Sequence, residues 1–239
     1  MTSQHGDRSL GSIAVVIAAA GRGERLGGDS PKALEKIAGV TLLGYCLDVV
    51  SELSGLGALV IAAPPTHIDE VTSICERMSA PHAVVVAGGA SRPESVARAL
   101  AVLPEAIDVV LVHDAARAFT PVEQFRAVID AVASGAPAVV PGLPVVDTIK
   151  EIDVDSTVIR TVDRAALRGV QTPQGFDRKI LVAVHADERF GAATDDAGMV
   201  EASGGVVTVI PGHQDAFKVT TPFDRTVAEA LVSARNGAN

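Results

Sequence analysis

The sequence has no tryptophan, one tyrosine and only two cysteines among its 239 residues. Two cysteines are too few for a disulfide framework, and Cys46 and Cys75 have no metal-ligand spacing, so both are expected to be buried thiols. Because aromatic residues make up 3% of a chain that is 48% hydrophobic, the core must consist mainly of Ala, Val, Leu and Ile. That hydrophobic fraction is far too high for a disordered chain.

Long apolar runs and an excess of positive charge are also missing. The longest apolar stretches, such as Ile13 to Ala20, are shorter than the ~18 residues that a bilayer-spanning helix needs. A formal net charge of -9 argues against general binding to nucleic acid or to an anionic membrane surface. The first dozen residues do not have the build of a signal peptide, so we expect a cytoplasmic protein.

Unbroken apolar runs of strand length alternate with amphipathic helical segments along the chain. Continuous hydrophobicity is typical of strands that are covered on both faces, as in a parallel sheet. We therefore expect an α/β fold of three layers, in which helices cover both faces of a mostly parallel central sheet. The predicted strands are Ile13–Ala18, Ala58–Ala63, Ala83–Ala87, Val109–Val112, Ala136–Val140 and Val206–Ile210.

Several helix starts can be predicted from capping residues. The segments Ser91-Arg92-Pro93-Glu94 and Thr120-Pro121-Val122-Glu123 fit capping boxes with proline at the first helical position. The pair Thr221-Pro222 opens the last helix in a similar way.

Residues 145–170 break this alternation, because β-type residues surround a turn at 153–156 and no helical period is present. We expect a β-hairpin arm that projects from the sheet. Val158 and Ile159 make it a candidate dimerisation arm, and a hairpin folded back on its own domain is the alternative. Residues 13–235 are expected to form a single domain that includes this arm, and residues 1–12 a disordered or loosely ordered N-terminus.

The loop after the first predicted strand is rich in glycine and positive charge. Ligands of open α/β sheets bind beyond the carboxyl ends of the strands, and small residues let backbone N–H groups approach an anion. Arg22, Arg25 and Lys32 concentrate positive charge in an acidic protein, which indicates a small polyanion; a glycine-rich turn with solvated arginines is the alternative. A dinucleotide fingerprint would need glycine at Leu26, and a P-loop would need lysine at Asp29.

Seven motifs, taken in order, resemble those of a known family. The first, Ala-Ala-Ala-Gly-x-Gly-x-Arg-Leu followed by Pro-Lys, is similar to the signature of sugar-nucleotide and polyol-phosphate nucleotidyltransferases. With the later motifs, the chain from Ile13 to the last helix resembles the 2-C-methyl-D-erythritol 4-phosphate cytidylyltransferases of the non-mevalonate isoprenoid pathway. The later motifs are Val112–Arg117, Asp147–Lys150, Thr161–Arg164, Gln171–Gln174, Thr194–Ala197 and Phe217–Thr220.

The resemblance implies a Rossmann-like nucleotidyltransferase fold and the transfer of a cytidylyl group from CTP to 2-C-methyl-D-erythritol 4-phosphate. Pyrophosphate leaves, and Mg²⁺ is the implied cofactor. The attacking phosphate oxygen is already anionic, so charge neutralisation and positioning must supply most of the catalysis. The alternatives are a cytidylyltransferase for another polyol phosphate, such as ribitol 5-phosphate, and a non-catalytic relative that binds nucleotides.

The resemblance also implies which residues act. The catalytic residues would be Arg25, Lys32, Arg164 and Lys218, with Arg164 reaching the neighbouring subunit's site in a homodimer. CTP would contact Ala19, Ala20, Gly21, Gly23, Arg25, Lys32, Gly88, Gly89, Ser95, Asp114, Ala115 and Lys218. The polyol phosphate would contact Asp114, Arg117, Thr148, Arg164, Thr172 and Thr194. We expect no metal site built by the protein: the CTP phosphates would hold Mg²⁺, with Asp114 as the one candidate protein ligand.

Two positions depart from the pattern of many family members. Ala90 replaces an acidic residue, which puts base specificity in doubt if that carboxylate reads the base, and Ala118 replaces a proline. The histidines other than His113 show no metal-ligand spacing. We expect His113 to be structural and the others to lie at the surface, namely His5, His67, His82, His185 and His213.

Overall fold

The structure is a computed structural model that describes residues 13–21, 31–78, 80, 82–191 and 193–237. Residues 1–12, for which the sequence predicts disorder, and the glycine-loop residues 22–30 lie outside these ranges. In chain order the strands are β1 (Ile13–Ala18), β2 (Lys36–Ile37), β3 (Val40–Thr41), β4 (Leu56–Ala63), β5 (Val84–Ala87), β6 (Val109–Asp114), β7 (Ala138–Pro144), β8 (Ile149–Ile152), β9 (Val158–Val162), β10 (Arg168–Val170), β11 (Gln174–Asp177) and β12 (Thr208–Pro211).

Eight of these strands form one central sheet in the order β10-β7-β11-β6-β1-β4-β5, with β12 also paired to β7. Strands β6, β1, β4 and β5 are parallel neighbours, and β12 is parallel to β7. Strand β11 runs antiparallel between β6 and β7, and β10 runs antiparallel to β7. The predicted mostly parallel sheet is therefore confirmed, and all six predicted strands occur with ends shifted by a few residues.

Among the described residues, seven α-helices cover the sheet on both faces. They are α1 (Leu42–Ser51), α2 (Ile68–Arg77), α3 (Arg92–Leu100), α4 (Val122–Ala133), α5 (Arg178–His185), α6 (Asp196–Ala202) and α7 (Pro222–Gly237). Alternate residues of β1 point to opposite faces, so Val15 belongs to an apolar cluster with residues of α1, α2, α4 and α7, whereas Val16 belongs to a cluster with residues of α3, α5 and α6. Helices therefore pack on both faces of the sheet, which gives the three-layer architecture that the sequence predicts.

The helix starts agree with the sequence at two of three places. Ser91 caps α3 by accepting a hydrogen bond from the Glu94 N–H, although Pro93 is the second helical residue rather than the first. Thr221 and Asp224 cap α7 reciprocally. The predicted Thr120 cap of α4 is wrong, because the Thr120 hydroxyl donates to the Arg117 carbonyl at 2.8 Å and α4 begins after Pro121 without a side-chain cap.

The predicted hairpin forms a two-stranded sheet of its own, β8 paired with β9, apart from the central sheet. Asp153 closes its turn by accepting hydrogen bonds from the N–H groups of Asp155 and Thr157. Val158 and Ile159 are more than half exposed. The segment then returns to the central sheet as β10, so the projecting part is shorter than 145–170.

Both cysteines are buried free thiols, as the sequence predicts. Burial raises the pKa of Cys75 to about 11 and that of Cys46 further still. Among the helices that the structure describes, none combines the length and the apolar character needed to cross a membrane.

Gly175 in β11 provides a test of the packing between the sheet and α4. A Cβ at this position would lie 2.3 Å from Val128 Cγ1 and 3.1 Å from Val132 Cγ2. We expect Gly175→Ala to lower the free energy of unfolding by about 1–3 kcal/mol, because the core must shift to admit the methyl group. Gly169→Ala is the matched control, since its Cβ would meet nothing closer than 3.9 Å. Urea denaturation measures both, and equal effects of the two substitutions would contradict the packing account.

Candidate active site

A cavity of about 830 Å³ opens where four neighbouring parallel strands end. The residues that follow the carboxyl ends of β1, β4, β5 and β6 form its wall, together with Lys32 and Lys218. This edge of an open α/β sheet is where such folds bind ligands. Among the described lining residues, the charged groups are the cations Lys32, Arg92, Arg98 and Lys218 and the carboxylates Glu94 and Asp114. The cavity is thus locally cationic within an acidic chain.

The structure brings ten of the twelve predicted CTP contacts together in this cavity. They are Ala19, Ala20, Gly21, Lys32, Gly88, Gly89, Ser95, Asp114, Ala115 and Lys218. The other two, Gly23 and Arg25, lie outside the described residues. The segments that carry the ten are far apart in sequence, and strand pairing is what places them side by side.

The loop after β5 approaches the loop after β1 very closely. A Cβ on Gly88 would lie 2.4 Å from the Ala20 Cβ, so only glycine fits there. The backbone N–H groups of this loop already have partners: Gly88 donates to the Ala63 carbonyl at 2.7 Å and Gly89 to Ser95 Oγ at 3.0 Å. These two donors are therefore engaged within the protein, and the close approach of the two loops leaves little space beside Gly88.

Side chains of α3 hold this loop in place. Glu94 Oε2 accepts the Ala90 N–H at 2.7 Å, and Arg98 donates to the Gly88 carbonyl at 2.9 Å. Glu94 and Arg98 also pair with each other. A carboxylate therefore lies at the Ala90 backbone although residue 90 itself has none.

Asp114, at the end of β6, is the electrostatic centre of the cavity. Its Oδ1 accepts a hydrogen bond from Arg92 Nε at 3.1 Å, and its Oδ2 accepts one from Lys218 Nζ at 2.7 Å. Burial alone would raise the pKa of this carboxyl, but Arg92 and Lys218 outweigh burial and hold the pKa well below its usual range. Asp114 is therefore ionised at neutral pH and keeps both cations at the cavity.

This ion-pair group has a buried extension that was not predicted from the sequence. Arg92 Nη1 donates to Asp196 Oδ2 at 2.6 Å, and Asp196 Oδ1 is 2.9 Å from His185 Nε2. Asp196 is fully buried and the His185 side chain is 4% exposed, so the prediction that His185 lies at the surface is wrong. A signal was present, because His185 follows Leu181 by four residues and so shares its buried helix face.

Two predicted polyol contacts have their polar groups engaged inside the protein. Thr172 Oγ1 accepts the Asp114 N–H at 3.0 Å and lies 3.1 Å from His113 Nδ1. Arg117 donates to the carbonyls of Ala216, at 2.7 Å, and Val170, at 3.1 Å. Neither residue lines the cavity. In this structure they fix the segments around the site, and burial lowers the pKa of Arg117.

Of the other predicted polyol contacts, Asp114 lines the cavity, whereas Thr148, Arg164 and Thr194 are exposed and lie outside the cavity wall. Thr148 precedes β8, and Arg164, which follows β9, donates a hydrogen bond to the Val146 carbonyl. Thr194 precedes Asp195, which caps α6 by accepting the Gly198 N–H at 2.9 Å. In the described part of the chain, the predicted nucleotide contacts thus form a compact group, whereas five of the six predicted polyol contacts, all except Asp114, lie outside the cavity wall.

The mostly parallel sheet and the cationic cavity beyond its strand ends are typical of Rossmann-like proteins that bind phosphorylated ligands. A model of the family 2-C-methyl-D-erythritol 4-phosphate cytidylyltransferase (IspD) matches residues 13–234. The chain belongs to this family of nucleotidyltransferases, which confirms the resemblance seen in its motifs.

Curated relatives agree with this assignment. The 2-C-methyl-D-erythritol 4-phosphate cytidylyltransferase of Frankia casuarinae is 49% identical over 221 residues, which are 92% of this chain and 81% of that protein. The protein of the same name from Streptomyces avermitilis is 47% identical over 93% of this chain and 92% of its own length.

Solved structures show the same fold. The 4-diphosphocytidyl-2C-methyl-D-erythritol synthase of Anaerococcus prevotii superposes with a TM-score of 0.81 at 29% identity, covering 94% of this chain and 97% of that one. The 2-C-methyl-D-erythritol 4-phosphate cytidylyltransferase of Thermus thermophilus gives a TM-score of 0.74 at 37% identity, over 92% of this chain and 98% of its own.

His113 beneath the site should make stability depend on pH. Burial lowers the pKa of His113 to about 4, below the ~6.5 of an unfolded histidine. As pH falls through about 6.5, only the unfolded state gains this proton, so this residue should remove about 2 kcal/mol of stability between pH 7 and pH 5. We expect His113→Gln to weaken that loss, whereas the exposed control His82→Gln should keep it. Urea denaturation at both pH values measures the effect, and identical pH dependence in the two variants would refute it.

Proposed function

We propose that this protein transfers a cytidylyl group from CTP to 2-C-methyl-D-erythritol 4-phosphate, in isoprenoid precursor biosynthesis. The proposal is supported above all by the cavity, which ten of the residues predicted to contact CTP line, in a chain that belongs to the cytidylyltransferase family. A phosphate oxygen of the polyol attacks the α-phosphorus of CTP. The bond from that phosphorus to the bridging oxygen of the β-phosphate breaks, and pyrophosphate leaves.

The reaction needs positive charge more than it needs a base. The attacking oxygen is anionic at neutral pH, and the leaving pyrophosphate gains negative charge in the transition state. Lys32, from the segment after the glycine loop, and Lys218, paired with Asp114, lie on the wall where they could meet the triphosphate. Lys218 would also hold the attacking phosphate in line, and Arg25 would add a planar cation to the same charge cluster.

The cytosine would lie against the loop after β5. Gly88 lies close to Ala20, and we propose that the narrow space beside these residues admits a pyrimidine and excludes the wider purine. The side chain of Ser95 accepts a hydrogen bond from the Gly89 N–H, and that of Glu94 accepts one from the Ala90 N–H. Because a carboxylate is present at Ala90 through Glu94, the absence of an acidic side chain at position 90 need not relax base choice.

Mg²⁺ is the proposed cofactor, held mainly by the CTP phosphates with Asp114 as the candidate ligand from this chain. The donor set of the cavity fits this arrangement, because Mg²⁺ accepts one or two carboxylates together with phosphate oxygens and water. In the part of the chain that the structure describes, no group of three or more His, Cys, Asp or Glu side chains could hold a metal by itself. When bound, Mg²⁺ supplies charge neutralisation at the triphosphate.

We also propose a homodimer in which the β8–β9 hairpin carries Arg164 to the site of the neighbouring subunit. Three observations support this: the hairpin stands apart from the central sheet, its Val158 and Ile159 are exposed, and Arg164 does not line the cavity of its own chain. An exposed apolar hairpin is a surface that a second subunit would cover. We propose the cytoplasm as the compartment, because both proposed substrates are water-soluble phosphates.

Pyrophosphate release in the presence of Mg²⁺ tests the function directly. CTP, UTP, ATP and GTP are each paired with 2-C-methyl-D-erythritol 4-phosphate and with ribitol 5-phosphate. We expect turnover with CTP and the methylerythritol phosphate, and Lys32→Ala should reduce it by about 100- to 1,000-fold because a cation at the transition state is lost. Lys36→Ala, an exposed lysine four residues along, is the matched control and should keep full turnover.

The other outcomes separate the alternatives. Turnover confined to ribitol 5-phosphate would move the protein to another polyol-phosphate cytidylyltransferase with the same mechanism. CTP binding without turnover in any pair would point to a non-catalytic relative. Full activity of Lys32→Ala would contradict the role given to that lysine.

A further inference from the structure

Arg92 lines the cavity, yet its guanidinium is committed to two carboxylates of the protein. Nε donates to Asp114 Oδ1 at 3.1 Å and Nη1 donates to Asp196 Oδ2 at 2.6 Å. The two carboxylates belong to different elements, since Asp114 ends β6 and Asp196 begins α6. Arg92 itself begins α3, so one side chain joins three separate parts of the fold.

Asp196 determines where this guanidinium must lie. Its side chain is fully buried, and its second oxygen is 2.9 Å from His185 Nε2. A buried carboxylate without a cation is very unfavourable, so the position of Arg92 is strongly constrained from the protein interior. Burial opposes the ionisation of Asp196, but His185 and Arg92 hold its pKa below the usual range.

Arg92 in turn constrains the Asp114 carboxylate in the cavity wall. With Oδ1 fixed by Arg92, the Asp114 carboxylate directs Oδ2 toward Lys218 Nζ, 2.7 Å away. Lys218 is 41% exposed and has four rotatable bonds in its side chain, so it needs such a partner to keep one position. An arginine is required at position 92 because the planar fork serves two carboxylates at once, whereas a lysine offers a single point charge.

We propose that Arg92, anchored by Asp196, is a positioning residue that fixes the Asp114 carboxylate and, through it, the Lys218 ammonium for the reaction. The inference deepens the proposed function and rests on it for its kinetic consequences. Displacing a reacting or charge-stabilising group by about 1 Å can cost about 100-fold in rate. The loss should therefore fall mainly on kcat, with a smaller rise in the KM for CTP, because Lys218 also meets the triphosphate while the wall around Gly88 is held by other contacts.

A double-mutant cycle tests whether Arg92 acts through the Asp114 carboxylate. The variants are Arg92→Gln, Asp114→Asn and the two combined, with kcat and KM measured for CTP and 2-C-methyl-D-erythritol 4-phosphate. We expect Arg92→Gln alone to lower kcat by about 100-fold. In the Asp114→Asn background the same substitution should cost little more, because the carboxylate through which Arg92 acts is then gone. Arg92→Lys should remain impaired.

A separate control for loss of stability is needed, because Arg92→Gln leaves the Asp196 charge buried without its cation. Arg92→Gln combined with Asp196→Asn removes both charges, and this variant should fold and show the same loss in kcat. Arg189→Gln is the matched control: Arg189 pairs with Asp187 at 2.6 Å on the surface, with its side chain 80% exposed, and turnover should not change. Thermal unfolding of every variant accompanies the kinetics.

A crystal structure of Arg92→Gln gives a readout that does not depend on turnover. We expect Lys218 Nζ to leave its position at Asp114 Oδ2. An unchanged Lys218–Asp114 pair, additive losses in the cycle, or full activity of Arg92→Lys would each overturn the inference. Absence of turnover in the unsubstituted protein would count against the proposed function alone, and the crystal structure would still decide the role of Arg92.

Discussion

A carboxylate that leaves water must be paired, and the Asp114 carboxylate at the end of β6 is paired twice, with Arg92 and with Lys218. These two cations come from segments on either side of it, the start of α3 and the chain after β12. Pairing therefore ties three distant stretches of sequence to one point at the sheet edge. The cavity exists in its observed shape because these stretches meet there.

The second constraint is steric. Gly88 and Ala20 approach so closely that no side chain fits between the loops after β5 and β1. Parallel pairing of β1 with β4 and of β4 with β5 brings these loops to the same edge. The cavity wall therefore combines the Lys218–Asp114 ion pair with a stretch of small residues at these two loops. A nucleotide likewise combines charged phosphates with a planar base.

Much of this arrangement could be predicted from the sequence, because local hydrophobic patterns encode it. Runs such as Ile13–Ala18 are continuous since both faces of the strand are covered, and the six predicted strands all occur. Strand β11 was not predicted, because its four residues include only one large apolar side chain, Phe176, and its position depends on pairing with β6 and β7. The Thr120 cap was wrong for a similar reason, since a local motif competes with a hydrogen bond to Arg117.

The site shows the same limit. Ordered motifs predicted the residues of the nucleotide cavity, whereas Arg92, Asp196 and His185 were missed as a group because their contacts join residues up to 104 positions apart. Arg92 looks like an exposed helix-start residue until Asp196 is known to be buried beside it. Buried ion pairs of this kind depend on the completed fold, and no local pattern reports them.

We expect one cavity, organised around Asp114, to receive the whole nucleotide. The decisive measurement is a crystal structure of the protein with CTP and Mg²⁺. Cytosine should lie against Gly88 and Gly89, with the triphosphate beside Lys32 and Lys218. CTP bound elsewhere, or a triphosphate turned away from Lys218, would contradict this expectation.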